Sequence, residues 1–165
     1  MKTETCAFTG HRPHKFPWKD NEADPRCMAL KETLEEQIAI LAGGGVTEYF
    51  TGGADGVDTL AAQPVLKLRE EYPHIRLILV LPCRTQTRGW PDEDVRIYEA
   101  IKSAADKIRY TSEEYTRGCM HKRNRHLVDN SSVCVSYMTK NTGGTAYTVD
   151  YARKEHVRII NLAEL

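Results

Sequence analysis

Short β-prone segments alternate with helical segments along the whole chain, and this alternation restricts the possible folds more than any other feature. The segment 77–81 is apolar at every position, which is typical of a parallel strand covered on both faces of its sheet. Six β-prone segments alternating with five helical ones predict an α/β fold with three αβα layers and a mostly parallel sheet. The predicted strands are residues 5–9, 47–51, 75–81, 106–110, 132–138 and 157–162.

The predicted helices are recognised by apolar residues that recur at three- and four-residue spacings. They span residues 26–42, 56–71, a segment that begins at Pro91, residues 116–130 and a segment opened by residues 141–145. No repeat or linker divides the chain, and one domain over residues 1–165 is expected at this length. Right-handed crossovers place every strand-to-helix turn at the carboxyl edge of the sheet, where ligands of such folds bind.

Three of these turns contain glycine, at Gly10, at residues 52–56 and at residues 143–144. Glycine allows a ligand to approach the main chain, and the first N–H groups of a helix attract an anion. One such turn is equally compatible with a plain tight turn, but three at one edge favour a site for a phosphate-bearing ligand. The dinucleotide motif GxGxxG and the P-loop motif GxxxxGK[ST] are absent, so hydride transfer and NTP hydrolysis have no motif to support them.

Several charged side chains beside the glycine turns have alternative roles. Asp55 and Asp58 could each cap the helix that follows or bind a ribose hydroxyl. Capping is the commoner role and is expected for Asp55, whereas Asp58 lies within the first helical turn and is the better candidate for the ribose. Asp129 could also contact ribose, or balance a neighbouring arginine. His11 could donate a proton or simply pack within its loop. Four arginines could neutralise phosphate or remain at the surface, namely Arg12, Arg84, Arg88 and Arg123.

The segment 10–25 is longer than the roughly two to six residues that usually connect a strand to a helix. It could act as a lid over a ligand site. Alternatively, it could lie at the periphery, with Phe16 and Trp18 packed on the body of the protein. If a nucleobase binds at this edge of the sheet, Trp18 or Trp90 could cover it.

The charges and cysteines narrow the classes of function. The 23 basic and 23 acidic residues give a formal net charge of +0. Because nucleic-acid binding relies largely on phosphate contacts, this balance argues against a protein built mainly to hold nucleic acid, and such a partner is not expected. It does not exclude a local basic patch. The five cysteines are scattered and odd in number, which disfavours a disulfide framework, and Cys119 and His121 have no second ligand pair for a metal. No apolar run is long enough for a signal peptide or a membrane span, so a cytoplasmic protein is expected.

Five motifs occur in an order that is similar to that of a known family. They are FTGHRP at 8–13, TGGADGVD at 51–58, the P…Q…W loop at 82–90, RNR…VDNS at 123–131 and TGGT…YA at 142–152. Together they resemble the YpsA family of the SLOG superfamily, which includes the DNA-processing protein DprA and the cytokinin-activating LOG enzymes. The resemblance covers nearly the whole chain. It implies a Rossmann-like domain that binds a nucleotide or nucleotide-derived ligand without a required cofactor. Relatives often pair through helices, so it also allows a homodimer.

The resemblance to LOG enzymes raises the possibility of catalysis. Those enzymes cleave a nucleoside monophosphate at its glycosidic bond, and their signature PGGxGTxxE ends in a catalytic glutamate. The corresponding segment here is TGGT at 142–145; Thr148 occupies the position of the glutamate, and Asp150 is out of register. Glycoside hydrolysis needs a carboxylate that stabilises an oxocarbenium-like state or activates water. Ligand binding, as in a sensor or regulatory protein, is therefore favoured over a phosphoribohydrolase or related N-glycosidase. Single-strand DNA binding, as in DprA, is a third possibility that the balanced charge disfavours.

The glycine turns and the resemblance together predict one ligand site at the carboxyl edge of the sheet. Backbone N–H groups would hold phosphate there, while Asp58 or Asp129 would contact ribose. The expected partner is a small nucleotide-like molecule, and no metal ligand is predicted. The predicted ligand-binding residues are Thr9, Gly10, His11, Arg12, Gly52, Gly53, Asp55, Gly56, Asp58, Arg123, Asp129, Gly143, Gly144 and Thr145.

Overall fold

Six parallel strands form one sheet in a computed structural model that describes residues 5–165. The strands are β1 (Thr5–Gly10), β2 (Glu48–Thr51), β3 (Arg76–Leu81), β4 (Lys107–Tyr110), β5 (Val133–Tyr137) and β6 (Arg158–Asn161). Their order across the sheet is β4-β3-β2-β1-β5-β6, and every neighbouring pair is parallel. The predicted α/β fold with a parallel sheet of six strands is therefore confirmed.

Five helices connect the strands, close to the positions predicted from their apolar spacing. They are α1 (Pro25–Gly43), α2 (Val57–Glu71), α3 (Asp92–Ala104), α4 (Cys119–Asp129) and α5 (Gly144–Lys154). The largest difference from prediction is that α4 begins three residues later than 116, because Gly118 precedes it in the left-handed region at φ 85°. A helix cannot run through a left-handed residue, so Gly118 sets its start.

Helices cover both faces of the sheet. On one face, α1, α2 and α3 pack over alternate strand residues, among them Cys6, Phe8, Leu77, Leu79 and Leu81. On the other face, Leu127 of α4 packs against the intervening residues Ala7, Phe50, Ile78 and Val80. Successive strand residues point to opposite faces, so a continuous apolar run such as 77–81 supplies both cores at once.

The strand order of the sheet reverses direction between β1 and β5. The chain builds outward from β1 to β4 on one side, then returns to place β5 on the other side of β1. Thr9 and Gly10 of β1 lie beside Ser136 and Tyr137 of β5. In doubly wound sheets, the crevice at the carboxyl ends of two such strands is where ligands bind.

The connection 10–25 lies against the body of the protein through its aromatic residues. Phe16 and Trp18 are only 2% and 7% exposed, and their rings stack with centroids 4.7 Å apart. Both rings also contact Tyr137 at the end of β5. A short 3₁₀-helix, Pro13–Lys15, precedes them. Of the two alternatives for these aromatic residues, packing on the body is the one observed.

Candidate functional site

A cavity of about 270 Å³ opens at the crossover between β1 and β5, and we call it the switch-point cavity. Its walls come from the end of β1, the segment after it, the β2–α2 turn, one face of α4 and the start of α5. The lining residues are Phe8, Thr9, Gly10, His11, Arg12, His14, Lys15, Ala54, Asp58, Met120, Arg123, Asn124, Leu127, Gly144 and Thr145.

The lining carries more positive than negative charge, although the whole chain is balanced. Arg12, Lys15 and Arg123 are its arginine and lysine residues, whereas Asp58 is its one acidic residue. Arg123 of α4 is 4% exposed, and its guanidinium donates to the Gly52 carbonyl and to the Asn124 side chain. Burial lowers the pKa of Arg123, but an arginine remains charged near neutral pH. The cavity therefore contains a fixed and oriented positive charge.

Asp58 is a buried carboxyl group on the same cavity. Asp58 is 8% exposed, and its Oδ2 accepts a hydrogen bond from the Ala54 N–H at 3.1 Å. Desolvation raises the pKa of Asp58 to about 6, although the positive charge of Arg123 and the Ala54 N–H pull it down. This side chain therefore changes charge in a range where most carboxyl groups are fully ionised.

His11 joins three segments around the cavity. Its backbone N–H donates to the Tyr137 carbonyl at 3.4 Å, and its carbonyl accepts from the Val57 N–H at 3.3 Å. Its ring nitrogen Nε2 accepts from the Thr139 N–H at 3.0 Å. Burial lowers the pKa of His11, and the nearby Lys15 lowers it further. The imidazole is therefore neutral at pH 7.

The start of α5 provides backbone N–H groups at the cavity. Gly143 is the N-cap residue at φ 88°, and no side chain caps the first turn, which begins with Gly144 and Thr145. Lys15 donates to the Thr142 carbonyl at 3.2 Å and lies against Gly143. An uncapped helix start next to a lysine is an environment that stabilises an anion.

The start of α2, by contrast, is occupied by the chain itself. The Val57 N–H donates to the His11 carbonyl, and a Cβ on Gly56 would lie 2.5 Å from that same carbonyl oxygen. The glycine therefore permits the close approach of the segment after β1. Asp55 was predicted to cap α2. It makes no capping hydrogen bond, and its carboxylate pairs with Arg12 at 2.6 Å instead. That expectation is wrong because the guanidinium offers a stronger, charged partner.

The structure brings many of the predicted residues together around the switch-point cavity. Those that line it are Thr9, Gly10, His11, Arg12, Asp58, Arg123, Gly144 and Thr145. Those that do not line it are Gly52, Gly53, Asp55, Gly56, Asp129 and Gly143.

One predicted ribose contact and both predicted base contacts lie away from the switch-point cavity. Asp129 accepts a hydrogen bond from the Tyr151 hydroxyl at 2.7 Å, on the surface formed by α4 and α5. Trp18 and Trp90 line a neighbouring cavity of about 660 Å³. That second cavity shares Arg12 and His14 with the switch-point cavity.

Sequence reasoning missed lining residues of two kinds. Met120, Asn124 and Leu127 lie on one side of α4 at helical spacing, together with Arg123, so their spacing could have placed them there. His14 and Lys15 carry no comparable signal. They reach the cavity because the aromatic residues that follow fold the connection back onto β5.

Residues 5–165 contain neither a cluster of metal-ligating side chains nor a membrane-spanning helix. No group of three or more histidine, cysteine, aspartate or glutamate side chains in this range could hold a metal ion. In the same range, no helix combines the length and apolar character needed to cross a membrane.

Comparison with known proteins identifies relatives over most of the chain. The YpsA model, which represents the YspA SLOG family, matches residues 6–162. A UPF0398 protein of Lysinibacillus sphaericus is 26% identical over 150 residues, covering 89% of this chain and 83% of the relative. The uncharacterized SPbeta prophage-derived protein YoqJ of Bacillus subtilis is 26% identical over 147 residues, covering 81% of this chain and 86% of the relative.

Two solved structures share the fold. DNA processing protein A of Helicobacter pylori has a TM-score of 0.65 at 20% identity, covering 96% of this chain and 64% of that protein. DNA processing protein A of Streptococcus pneumoniae has a TM-score of 0.62 at 14% identity, covering 95% of this chain and 50% of that protein. The chain therefore spans about half to two thirds of the length of these structures.

One of these structures corrects the expectation about nucleic acid. The Helicobacter pylori protein has a single-stranded DNA binding mode, so this fold is compatible with a nucleic-acid partner. The prediction that nucleic acid is an unlikely partner is wrong, because it relied on the net charge of the whole chain. Contacts with phosphate depend on local charge, and the lining of the switch-point cavity is locally positive.

Proposed function

We propose that the switch-point cavity binds a phosphate-bearing ligand of the nucleotide class. The chain belongs to the YspA SLOG family, whose model matches residues 6–162. One observation carries this proposal. Arg12, Lys15 and Arg123 converge with the uncapped start of α5 on a cavity at the crossover of the sheet. Positive side chains and free helix N–H groups together favour phosphate, and arginine can bind it through two nitrogens.

The size of the site supports a ligand larger than phosphate alone. At about 270 Å³, the switch-point cavity lies just below the roughly 300–1,000 Å³ range of ligand pockets. The neighbouring cavity of about 660 Å³ shares Arg12 and His14 with it and is bordered by the aromatic side chain of Trp90. A phosphate in the first cavity would leave room for the sugar and base of the same ligand in the second.

Binding is better supported than glycosidic hydrolysis. Thr148, at the position of the LOG glutamate, donates its hydroxyl hydrogen to the Gly144 carbonyl at 2.9 Å and does not line the cavity. Asp150 is paired with Arg153 at 3.4 Å on the surface of α5. Within the switch-point cavity, Asp58 is the one carboxyl group that a hydrolase could use. This alternative can be tested by incubating the protein with each nucleoside monophosphate and measuring the free base. If no more base is released than in a blank without protein, hydrolysis is excluded.

The proposed ligand can be tested with a matched pair of variants at Gly144. This residue starts α5, and a Cβ there would meet no atom within 4 Å. Gly144→Asp places a negative charge at the anion site, and an acidic residue in a first helical turn does not harm folding. Gly144→Ala is the control that adds a side chain without the charge.

Calorimetry and thermal unfolding with inorganic phosphate, ribose 5-phosphate, AMP, ADP and NAD provide the measurement. We expect at least one of these ligands to bind both the wild type and Gly144→Ala. Gly144→Asp should bind the same ligand at least roughly tenfold more weakly, which is a loss of about 1.4 kcal/mol of binding free energy. Ligand at 100 times its Kd should raise the free energy of unfolding by about 2.7 kcal/mol. Absence of binding by every compound, or equal binding to Gly144→Asp, refutes the proposal.

Single-stranded DNA is a second candidate ligand, favoured by the fold shared with the Helicobacter pylori protein. A further cavity of about 290 Å³ adjoins the first at Met120 and is bordered by Arg88 and by Tyr115, which is 69% exposed. A basic groove with an exposed aromatic ring suits a single strand, because bases stack on such rings. Fluorescence anisotropy with labelled oligo(dT) at low salt should show binding that Tyr115→Ala weakens. No change in anisotropy would exclude this candidate.

A further inference from the structure

Asp58 of α2 and Arg123 of α4 both bond the β2–α2 turn, and each side chain keeps one polar atom unpaired. Asp58 Oδ2 accepts from the Ala54 N–H at 3.1 Å, and Arg123 Nη1 donates to the Gly52 carbonyl. Asp58 Oδ1 and Arg123 Nη2 have no hydrogen-bond partner within residues 5–165. Neither is among the fully buried unpaired atoms of the described chain, so each retains surface that a ligand can reach.

The two unpaired atoms belong to side chains that line the switch-point cavity. Asp58 also borders a cavity of about 10 Å³, which is too small for a sugar. Burial raises the pKa of Asp58 and the positive charge of Arg123 lowers it, so the two charged groups lie near each other. No nitrogen of Arg123 is within 4.0 Å of an Asp58 oxygen. A donor and an acceptor therefore border one cavity without bonding each other.

We propose that Asp58 Oδ1 and Arg123 Nη2 together bind a sugar hydroxyl group of the ligand. The hydroxyl would donate its hydrogen to the carboxylate and accept a hydrogen bond from the guanidinium. This inference rests on the proposed function and deepens it, because it makes the ligand a ribonucleotide or ribose phosphate rather than the deoxy form.

The pair suits a hydroxyl better than it suits the charged groups of a ligand. An ionised phosphate oxygen only accepts hydrogen bonds, so Asp58 would repel it. An ammonium group only donates, so it would face the donor of Arg123. A hydroxyl group does both, and it is the one group that satisfies the two side chains together.

The position of the pair suits the sugar of a nucleotide. Ala54 and Asp58 of the β2–α2 turn line the switch-point cavity, whereas Asp55 and Gly56 of the same turn line the neighbouring cavity of about 660 Å³. A sugar that leads from a phosphate at the start of α5 into the second cavity would pass this turn. An internal nucleotide of a DNA strand has no free sugar hydroxyl, so the pair favours a free ribonucleotide over single-stranded DNA.

Calorimetry with ligands that differ by one hydroxyl tests the inference in the unmodified protein. The compounds are ribose 5-phosphate with its 2-deoxy and 3-deoxy forms, and AMP with its 2′-deoxy and 3′-deoxy forms. At pH 8, Asp58 is ionised because its pKa is about 6. At least one deoxy form should bind roughly 10- to 100-fold more weakly, the effect of losing a hydrogen bond to a charged group. Equal affinity for the ribose and deoxy forms overturns the inference.

Asp58→Asn tests the acceptor with a side chain of the same shape. Its amide oxygen can keep the contact with the Ala54 N–H, which leaves a donor, the amide nitrogen, in the place of Oδ1. The preference for the ribose form should fall below about threefold. Asp55→Asn is the matched control, since it removes a carboxylate of the same turn whose partner is Arg12, and it should keep the wild-type preference.

The ratio of the two affinities is the informative measurement, because a general loss of stability would weaken both forms alike. An unchanged preference in Asp58→Asn overturns the inference, as does an equal loss of preference in Asp55→Asn. If Asp58→Asn does not fold, the wild-type comparison decides by itself.

The outcomes also separate this inference from the proposed function. If the wild type binds none of the phosphate compounds, the proposed function fails. If it binds the ribose and deoxy forms equally well, the proposed function stands and the hydroxyl contact fails.

Discussion

Asp58 should make the folded protein less stable as the pH rises from about 4 to about 6. Burial raises the pKa of Asp58 from 3.8 to about 6. In this window the folded protein holds a proton on Asp58 that the unfolded chain has released. Because the folded state binds more protons, stability falls as the pH rises and levels off above the folded pKa. A difference of about 2.2 pKa units corresponds to about 3 kcal/mol at 1.36 kcal/mol per unit.

Asp58→Asn isolates this effect from other titrating groups. Burial lowers the pKa of His11 and His126. These two residues therefore make the free energy of unfolding rise with pH, which opposes the effect of Asp58 in part of the same pH range. They are present in both proteins and cancel in the difference. Asparagine keeps an oxygen that can accept from the Ala54 N–H, as Asp58 does at 3.1 Å.

The measurement is urea unfolding of both proteins at several pH values between about 3.5 and 8. The free energy of unfolding of the wild type minus that of Asp58→Asn should fall by about 3 kcal/mol across this range, with its midpoint between 3.8 and about 6. A difference that is constant with pH would refute the reasoning. A difference that rises with pH would mean that the attraction of Arg123 exceeds the cost of burial.

Three further predictions follow from the same structure. Sulfate, whose charge is constant above about pH 3, should bind the wild type roughly three- to tenfold more tightly at pH 5 than at pH 8, because the protonated Asp58 does not repel it. Calorimetry should show a weaker dependence of sulfate affinity on pH in Asp58→Asn. Gly56→Ala should lower the free energy of unfolding by roughly 2–4 kcal/mol, since its φ of 85° is strained for alanine and its Cβ would press on the His11 carbonyl. The same change at Gly144 should cost less than about 0.5 kcal/mol. Trp18→Ala should cost about 3–5 kcal/mol in urea unfolding because Trp18 is 7% exposed, and a smaller loss would contradict its role as an anchor.

The fold could be predicted because its signals are local. The run 77–81 is typical of a strand covered on both faces. The apolar residues of α1 recur at helical spacing, and Cys27, Leu30, Leu34, Ile38 and Leu41 are all buried. The start of α4 was less predictable. Its position depends on the left-handed conformation of Gly118, and a glycine is compatible with many conformations.

The sequence predicted the lining of the switch-point cavity only for residues close to the carboxyl ends of the strands. Residues 9–12 and Asp58 line one cavity, as the sequence suggested, because they lie at or just after the carboxyl ends of β1 and β2. The glycines at 52–56 look the same in the sequence whether a ligand or the chain itself approaches them, and here it is the chain. Lys15 depends on a long-range contact of Phe16 and Trp18 with Tyr137, which no local pattern contains.

The position of β1 in the sheet also has a consequence for synthesis of the chain. β1 can pair with β2 once residue 51 has been made, but its other edge waits for Val133–Tyr137, far along the chain. The nascent protein therefore carries an open edge on a strand rich in apolar residues through most of its translation. Such an edge can pair with a neighbouring chain, so the period before β5 emerges is when this fold is most exposed to aggregation.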